Sequence, residues 1–376
     1  MNFFMLEYIQ GVIMMKILAA FDSFKESMTA YAAGEAVQRA YNNVHICPLA
    51  DGGEGTMEVM NRYLHGDIHE IEVAGPLFKT VHAKLAIMDD LAIIESAQAC
   101  GLDYLTEEEK NGTEATSYGV GEMMKYAYDH GVKRFLLTLG GSACNDGGIG
   151  LLSGMGYGFF DQFDQRIPMN ARGLETLDHI KKTRLDLSSI EVEGACDVTN
   201  PLCGKEGATY VFGPQKKVKD LEKTDQAMKH YAKIMSELVD KDDSCTPGAG
   251  AAGGMGYAIV TGLNGKLVTG FDAVSRTVHL EEAIQEADII FTGEGKMDHQ
   301  TLYGKTPIGV LRLAQKYNKP VVAFCGKCED KETLLEAGFE DVRCINHTDE
   351  PLSVLLEKGP QYLEEEVRRY LEEKNV

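Results

Sequence analysis

The chain repeatedly sets an acid among glycines, hydroxyls or lysines directly after an apolar run. FDSFKES brings Asp22, Ser23 and Lys25 together, and ADGGEGT surrounds Asp51 and Glu54 with glycines. GGSACNDGG, at 140–148, opens on Gly140 and Gly141 and adds Ser142, Asn145 and Asp146, while CDVTNPL carries Asp197 and Asn200. TGEGKMDHQTLYGKT supplies Gly293, Glu294, Lys296, Asp298, Gln300, Thr301 and Lys305. Glycine backbone lets N–H groups approach an anion closely, carboxylates hold a divalent cation or accept a proton, and lysines meet anionic oxygens. The combination points to phosphate or carboxylate chemistry.

Plainer readings stand beside these. Asp22 or Ser23 would serve as an ordinary helix N-cap, and Asn200 before Pro201 makes an Asx turn easily. TPGAGAAGGMGYA matches G-x-G-x-x-G at Gly248, Gly250 and Gly253, yet DKDDSC before it is no strand, so the dinucleotide fingerprint lacks its context. A glycine-lined helix start that receives an anion remains for Gly250 and Gly253. The GKT at 304–306 is not a P-loop either, because its first glycine would fall at His299. A rival chemistry lies in Cys325 and Cys328, a C-x-x-C after an apolar run, where a thioredoxin-like redox pair would sit.

The elements that must hold these residues alternate. MKILAAFD (15–22) reads as a strand and is followed by a helical apolar spacing, and NVHICPLAD (43–51) repeats the unit. DIIFTGEG (288–295) and KPVVAFCG (319–326) do the same near the other end, so both ends supply pieces of one doubly wound parallel sheet. The middle reads as strands around turns, then helix and strand, and is expected to be a second α/β domain inserted in the first. The expected boundaries are 15–70 with 266–376 for the outer domain, 71–265 for the insert, and 1–14 for an N-terminal extension ahead of Met15. In such sheets ligands bind beyond the carboxyl ends of the strands, where the acids lie.

A length of 376 residues suits two domains with a cleft between them. A formal net charge of −21 disfavours nucleic acid and anionic membranes, so an anionic ligand must be met by local donors or a cation. No run approaches the roughly 20 apolar residues of a membrane span. Nine scattered cysteines fit a reducing cytoplasm.

Taken together, DSFKES, ADGGEGT, TLGGSACNDGG, CDVTNPLCG, PGAGAAGGMGYA, GFDAV and TGEGKMDHQTLYGKTP resemble, in that order, the bacterial glycerate kinases that are unrelated to P-loop kinases. The resemblance runs from Met15 to about Gly326. It implies a Rossmann-like domain plus a flavodoxin-like one, and ATP-dependent phosphorylation of D-glycerate, in many members at the 2-hydroxyl. Glu26 departs from it, standing where the family commonly has glycine.

On this reading Asp197 accepts the hydroxyl proton, with Lys25 and Asp51 as further catalytic groups and Mg²⁺ on Asp51 or Asp298. Asp22, Ser23, Gly141, Ser142, Asn145, Asp146 and Asn200 are expected at the substrate, and Gly250, Gly253, Gly293, Glu294, Asp298, Thr301 and Lys305 at ATP. A kinase of another small hydroxy acid is the alternative, a thiol redox protein a more distant one, and a homodimer stays open.

Overall fold

The segments ILAAF and LAIIE are apolar or buried at every position, the mark of strands covered on both faces. In the computed structural model both are interior strands with all five residues buried. The structure describes residues 14–53, 55–298, 301–302, 305–347 and 350–375. The expected extension at 1–14 lies outside them except for Met14, as do Glu54 and Gln300.

Strands are numbered along the chain. β1 (Ile17–Phe21) and β2 (Val44–Ile46) come first. β3 (Asp67–Ala74), β4 (Thr80–Met88), β5 (Leu91–Glu95), β6 (Arg134–Thr138), β7 (Gly158–Phe160), β8 (His179–Lys181), β9 (Glu191–Ala195) and β10 (Lys266–Val268) follow. β11 (Ile289–Met297), β12 (Val321–Cys328) and β13 (Asp341–Cys344) complete the series. The chain forms two compact units, one up to Asp51 and from Val274 onward, the other Gly52–Ala273.

The first unit holds a parallel sheet in the order β13-β12-β11-β1-β2. Counted within the unit this is 2-1-3-4-5, the doubly wound order of flavodoxin-like sheets rather than the six-stranded Rossmann order. Its direction of winding reverses between β1 and β11, which opens a crevice beyond their carboxyl ends. Phe21, Phe291, Phe324 and Tyr370 fill the core beneath. The helix Ala30–Ala40 begins at Thr29, whose hydroxyl accepts from the Ala32 N–H, and buries its small residues. Gly34 is required there, since a Cβ would stand 2.4 Å from Ile46 Cγ2 of β2.

The second unit holds a six-stranded sheet, β10-β9-β6-β5-β4-β3, whose first four strands run parallel while β4 and β3 form an antiparallel meander at one edge. A β7–β8 hairpin stands apart. Glu95, Thr138, Ala195 and Val268 are in register, so the loops after all four parallel strands leave from one edge. β3 pairs with β4 along its whole length and β10 pairs with β9. Residues 67–70 and 266–268 therefore belong to this sheet, and a boundary at 70/71 would cut a paired strand. Among the described residues no helix is long and apolar enough to cross a membrane.

Candidate active site

At the crevice of the first unit, Phe21 pairs with Gly293 and the Asp22 N–H donates to Gly293 O at 3.0 Å, which fixes the strand end. The Asp22 carboxylate accepts from Thr306 Oγ1 at 2.6 Å and from the Ser23 N–H at 2.6 Å. Burial pushes its carboxyl up to about 6, with the nearby Asp51 and Glu294 adding to the shift and Thr306 opposing it. Glu294 is raised by burial as well, held back by Lys305, whose ammonium lies 3.5 Å away, and by the Thr301 hydroxyl, which donates to it at 2.9 Å. Asp298 is buried and pairs with Lys296 at 3.0 Å. Lys305 is the N-cap of the helix Thr306–Gln315, with proline in its first turn.

Asp22, Ser23, Asp51, Glu294, Asp298, Thr301 and Lys305 thus share one strand-end crevice, and Lys25 sits exposed on the turn that follows β1. Gly293 is a buried position of β11, where a Cβ would stand 1.8 Å from Phe324 O. Among the described residues no three metal-ligating side chains converge on one point. The donors are all oxygen, and mutual crowding of Asp22, Asp51 and Glu294 raises the proton affinity of Asp22, which suits a hard cation held by one or two carboxylates and phosphate oxygens.

In the second unit the loop at 139–148 follows β6. Asp146 is fully buried and accepts from the Ser117 N–H and hydroxyl, both at 2.8 Å, and from the N–H groups of Gly148 at 3.0 Å and Gly150 at 3.3 Å. These four donors tie its carboxylate into the loop. Burial raises its carboxyl while those donors hold it back. Asn145 donates to Thr209 Oγ1 at 2.9 Å, and its Oδ1 is buried without a partner among the described residues. Ser142 accepts from the buried Lys216 at 2.9 Å, and Gly141 takes φ 65 beside it.

Gly250 and Gly253, expected at ATP, join the loops together. Gly250 N–H donates to Asn200 O at 2.9 Å, and a Cβ there would stand 2.3 Å from Pro201 O. Gly253 has φ 70 and a Cβ would stand 2.1 Å from Cys144 O. Asp197 leaves the end of β9 with Oδ1 accepting from the Gly270 N–H at 3.0 Å, and Asn200 donates to Glu206 O at 2.7 Å. Lys216, Ser117, Thr209 and Thr306 were not singled out by the sequence; only Thr306, inside GKT, lay in a segment that drew attention.

The glycerate kinase family model matches residues 17–373. The chain belongs to the glycerate kinase family. A glycerate kinase of Haemophilus influenzae is 40% identical over 362 residues, covering 93% of this chain and 96% of that protein. The glycerate 2-kinase of Escherichia coli K12 is 38% identical over 328 residues, covering 84% and 86%. A crystal structure from Salmonella typhimurium LT2, described as a putative glycerate kinase 2, superposes with TM-score 0.88 at 37% identity over 96% of this chain and 98% of that one.

Two features of this glycerate kinase family member gain meaning from the geometry. Glu26 has φ 63, so the turn after β1 demands a left-handed residue, and glycine takes that conformation without cost. Cys325 is a fully buried residue of β12, donates to Arg343 O at 3.6 Å, and has its thiol driven well up by burial. A redox nucleophile needs an exposed, electropositive setting and a lowered thiol, so the thioredoxin-like reading is set aside.

Proposed function

We propose that this chain transfers the γ-phosphoryl group of ATP to a hydroxyl of D-glycerate, with 2-phosphoglycerate the favoured product. The carrying observation is the crevice at the β1–β11 switch point, where Asp22, Asp51 and Glu294 crowd together beside Lys305. Family membership supports the substrate, since the relatives above bear glycerate kinase names.

In this reading the first unit handles the nucleotide phosphates. Lys25 and Lys305 meet anionic oxygens, the helix start at Thr306 adds N–H groups, and Asp51 and Asp298 would hold Mg²⁺. Held by these two carboxylates, such a cation would supply neutralisation of phosphate charge. The glycerate hydroxyl gives its proton to Asp197 as its oxygen bonds to the γ-phosphorus, and the bond from that phosphorus to the ADP oxygen breaks. The Gly270 N–H on Oδ1 orients the Asp197 carboxylate for this step.

All nine cysteines are free, which favours a reducing cytoplasm, and light scattering would decide between monomer and homodimer. ADP release by the purified chain tests the reading. Release with D-glycerate, and little with lactate or glycerol, is expected; equal release without any acceptor would overturn it.

A further inference from the structure

Lys216 is the only lysine or arginine that is buried among the described residues. Its ammonium meets no carboxylate at ion-pair distance there; its partners are Ser142 Oγ at 2.9 Å and Cys144 O at 2.7 Å, both neutral. The buried Asp146 carboxylate acts on it only from beyond that distance, and such a charge is costly to keep dry without a closer partner. An ammonium has three donors, so one proton remains beyond these two bonds. Ser142 Oγ accepts from Lys216, and its own hydroxyl proton has no acceptor among the described residues. Nor do the backbone N–H groups of Gly140, Gly141 and Ser142. Gly141 is exposed, Gly140 half-buried and Ser142 buried, so the loop meets solvent at its two glycines and runs inward from there toward Lys216.

We infer that Lys216 and the N–H groups at 140–142 receive the carboxylate of the acceptor and so select a hydroxy acid over a neutral polyol. The inference rests on the reading that a small hydroxy acid is the acceptor. One fixed cation beside a short row of N–H donors matches a group with one charge and two oxygens. A triphosphate would bring several negative charges against that single lysine. The position also suits the chemistry. Thr138 at the end of β6 is in register with Ala195 at the end of β9, two residues before Asp197. Neighbouring strands lie about 4.8 Å apart, a span that a three-carbon acid covers, so a carboxylate on the β6 loop puts the hydroxyl toward the β9 loop. Desolvation already lowers the proton affinity of Lys216, and a bound carboxylate would restore it.

The test compares D-glycerate with its neutral amide, using the purified full-length chain and Mg-ATP. Wild type is expected to prefer the acid strongly. Lys216→Met should lower kcat/KM for D-glycerate by roughly 10²–10³-fold, mainly through KM, while activity toward the amide and KM for ATP change little. A merely structural lysine would depress both acceptors equally, and that result overturns the inference. Should Lys216→Met not fold, the wild-type chain decides by amide NMR. D-glycerate without nucleotide should shift the Gly140, Gly141 and Ser142 signals, and glycerol and ATP should not. Unmoved signals at saturating D-glycerate, with phosphoglycerate still formed, would overturn the inference and leave the substrate reading intact. A lack of product with glycerate strikes that reading instead, because the titration is read without turnover.

Discussion

The Thr306 hydroxyl donates to Asp22 Oδ2 at 2.6 Å, joining the end of β1 to the start of a helix 284 residues further on. This bond helps hold a carboxyl that burial, Asp51 and Glu294 together push up to about 6. The folded chain therefore keeps the Asp22 proton to about pH 6, while the unfolded chain releases it near 3.8. Between those values the native state binds more protons, so this group's contribution to stability falls as pH rises and reaches its full penalty above 6. Asp22→Asn removes the titration. Urea denaturation should show the wild type losing about 2 kcal/mol relative to the variant between pH 4 and pH 8. Parallel pH profiles for the two proteins would contradict the assignment.

Glu26 occupies a left-handed position at φ 63. A side chain there costs about 1–2 kcal/mol, of which glycine's greater unfolded freedom takes back part. Glu26→Gly should raise the stability measured in urea by up to about 1 kcal/mol, and Glu26→Ala should not raise it.

Gly253 carries φ 70 and has no room for a Cβ, with Cys144 O 2.1 Å from where it would stand. Gly253→Ala should cost more than about 2 kcal/mol of stability. Nucleotide affinity lost without any loss of stability would favour the ligand-binding role for Gly253 over the packing one.

Asp197→Asn keeps an oxygen to accept from the Gly270 N–H, now 3.0 Å from Oδ1, so the fold should survive. Turnover should fall by roughly 10²–10⁴-fold, the usual contribution of a positioned base. Near-normal turnover would move the proton acceptor elsewhere.

Much of the scaffold was legible because it follows from local pattern. ILAAF and LAIIE are apolar throughout apart from the closing acid of the second, and both are interior strands. Asp22, Asp197 and Asp298 fall within two residues of the ends of β1, β9 and β11, as the apolar runs before them led one to expect. β11, however, runs on through Glu294 and Lys296 to Met297, where a loop was expected after 295. It does so because β12 continues beside it, pairing Lys296 with Lys327 and Met297 with Cys328. That extension depends on the neighbouring strand and leaves no local mark. The partner of Asp22 is likewise distant in sequence, and Lys216 stands in GPQKK, which looks like surface. At Gly250 and Gly253 the sequence does not separate a glycine needed for close backbone packing from one needed for an anion, since both carry the same signature.

Phosphorus NMR of the purified chain with Mg-ATP and D-glycerate follows the phosphoryl transfer itself. A 2-phosphoglycerate signal should grow as ATP is converted to ADP, and only when glycerate is present. ATP that stays intact, or that yields only inorganic phosphate, would contradict it.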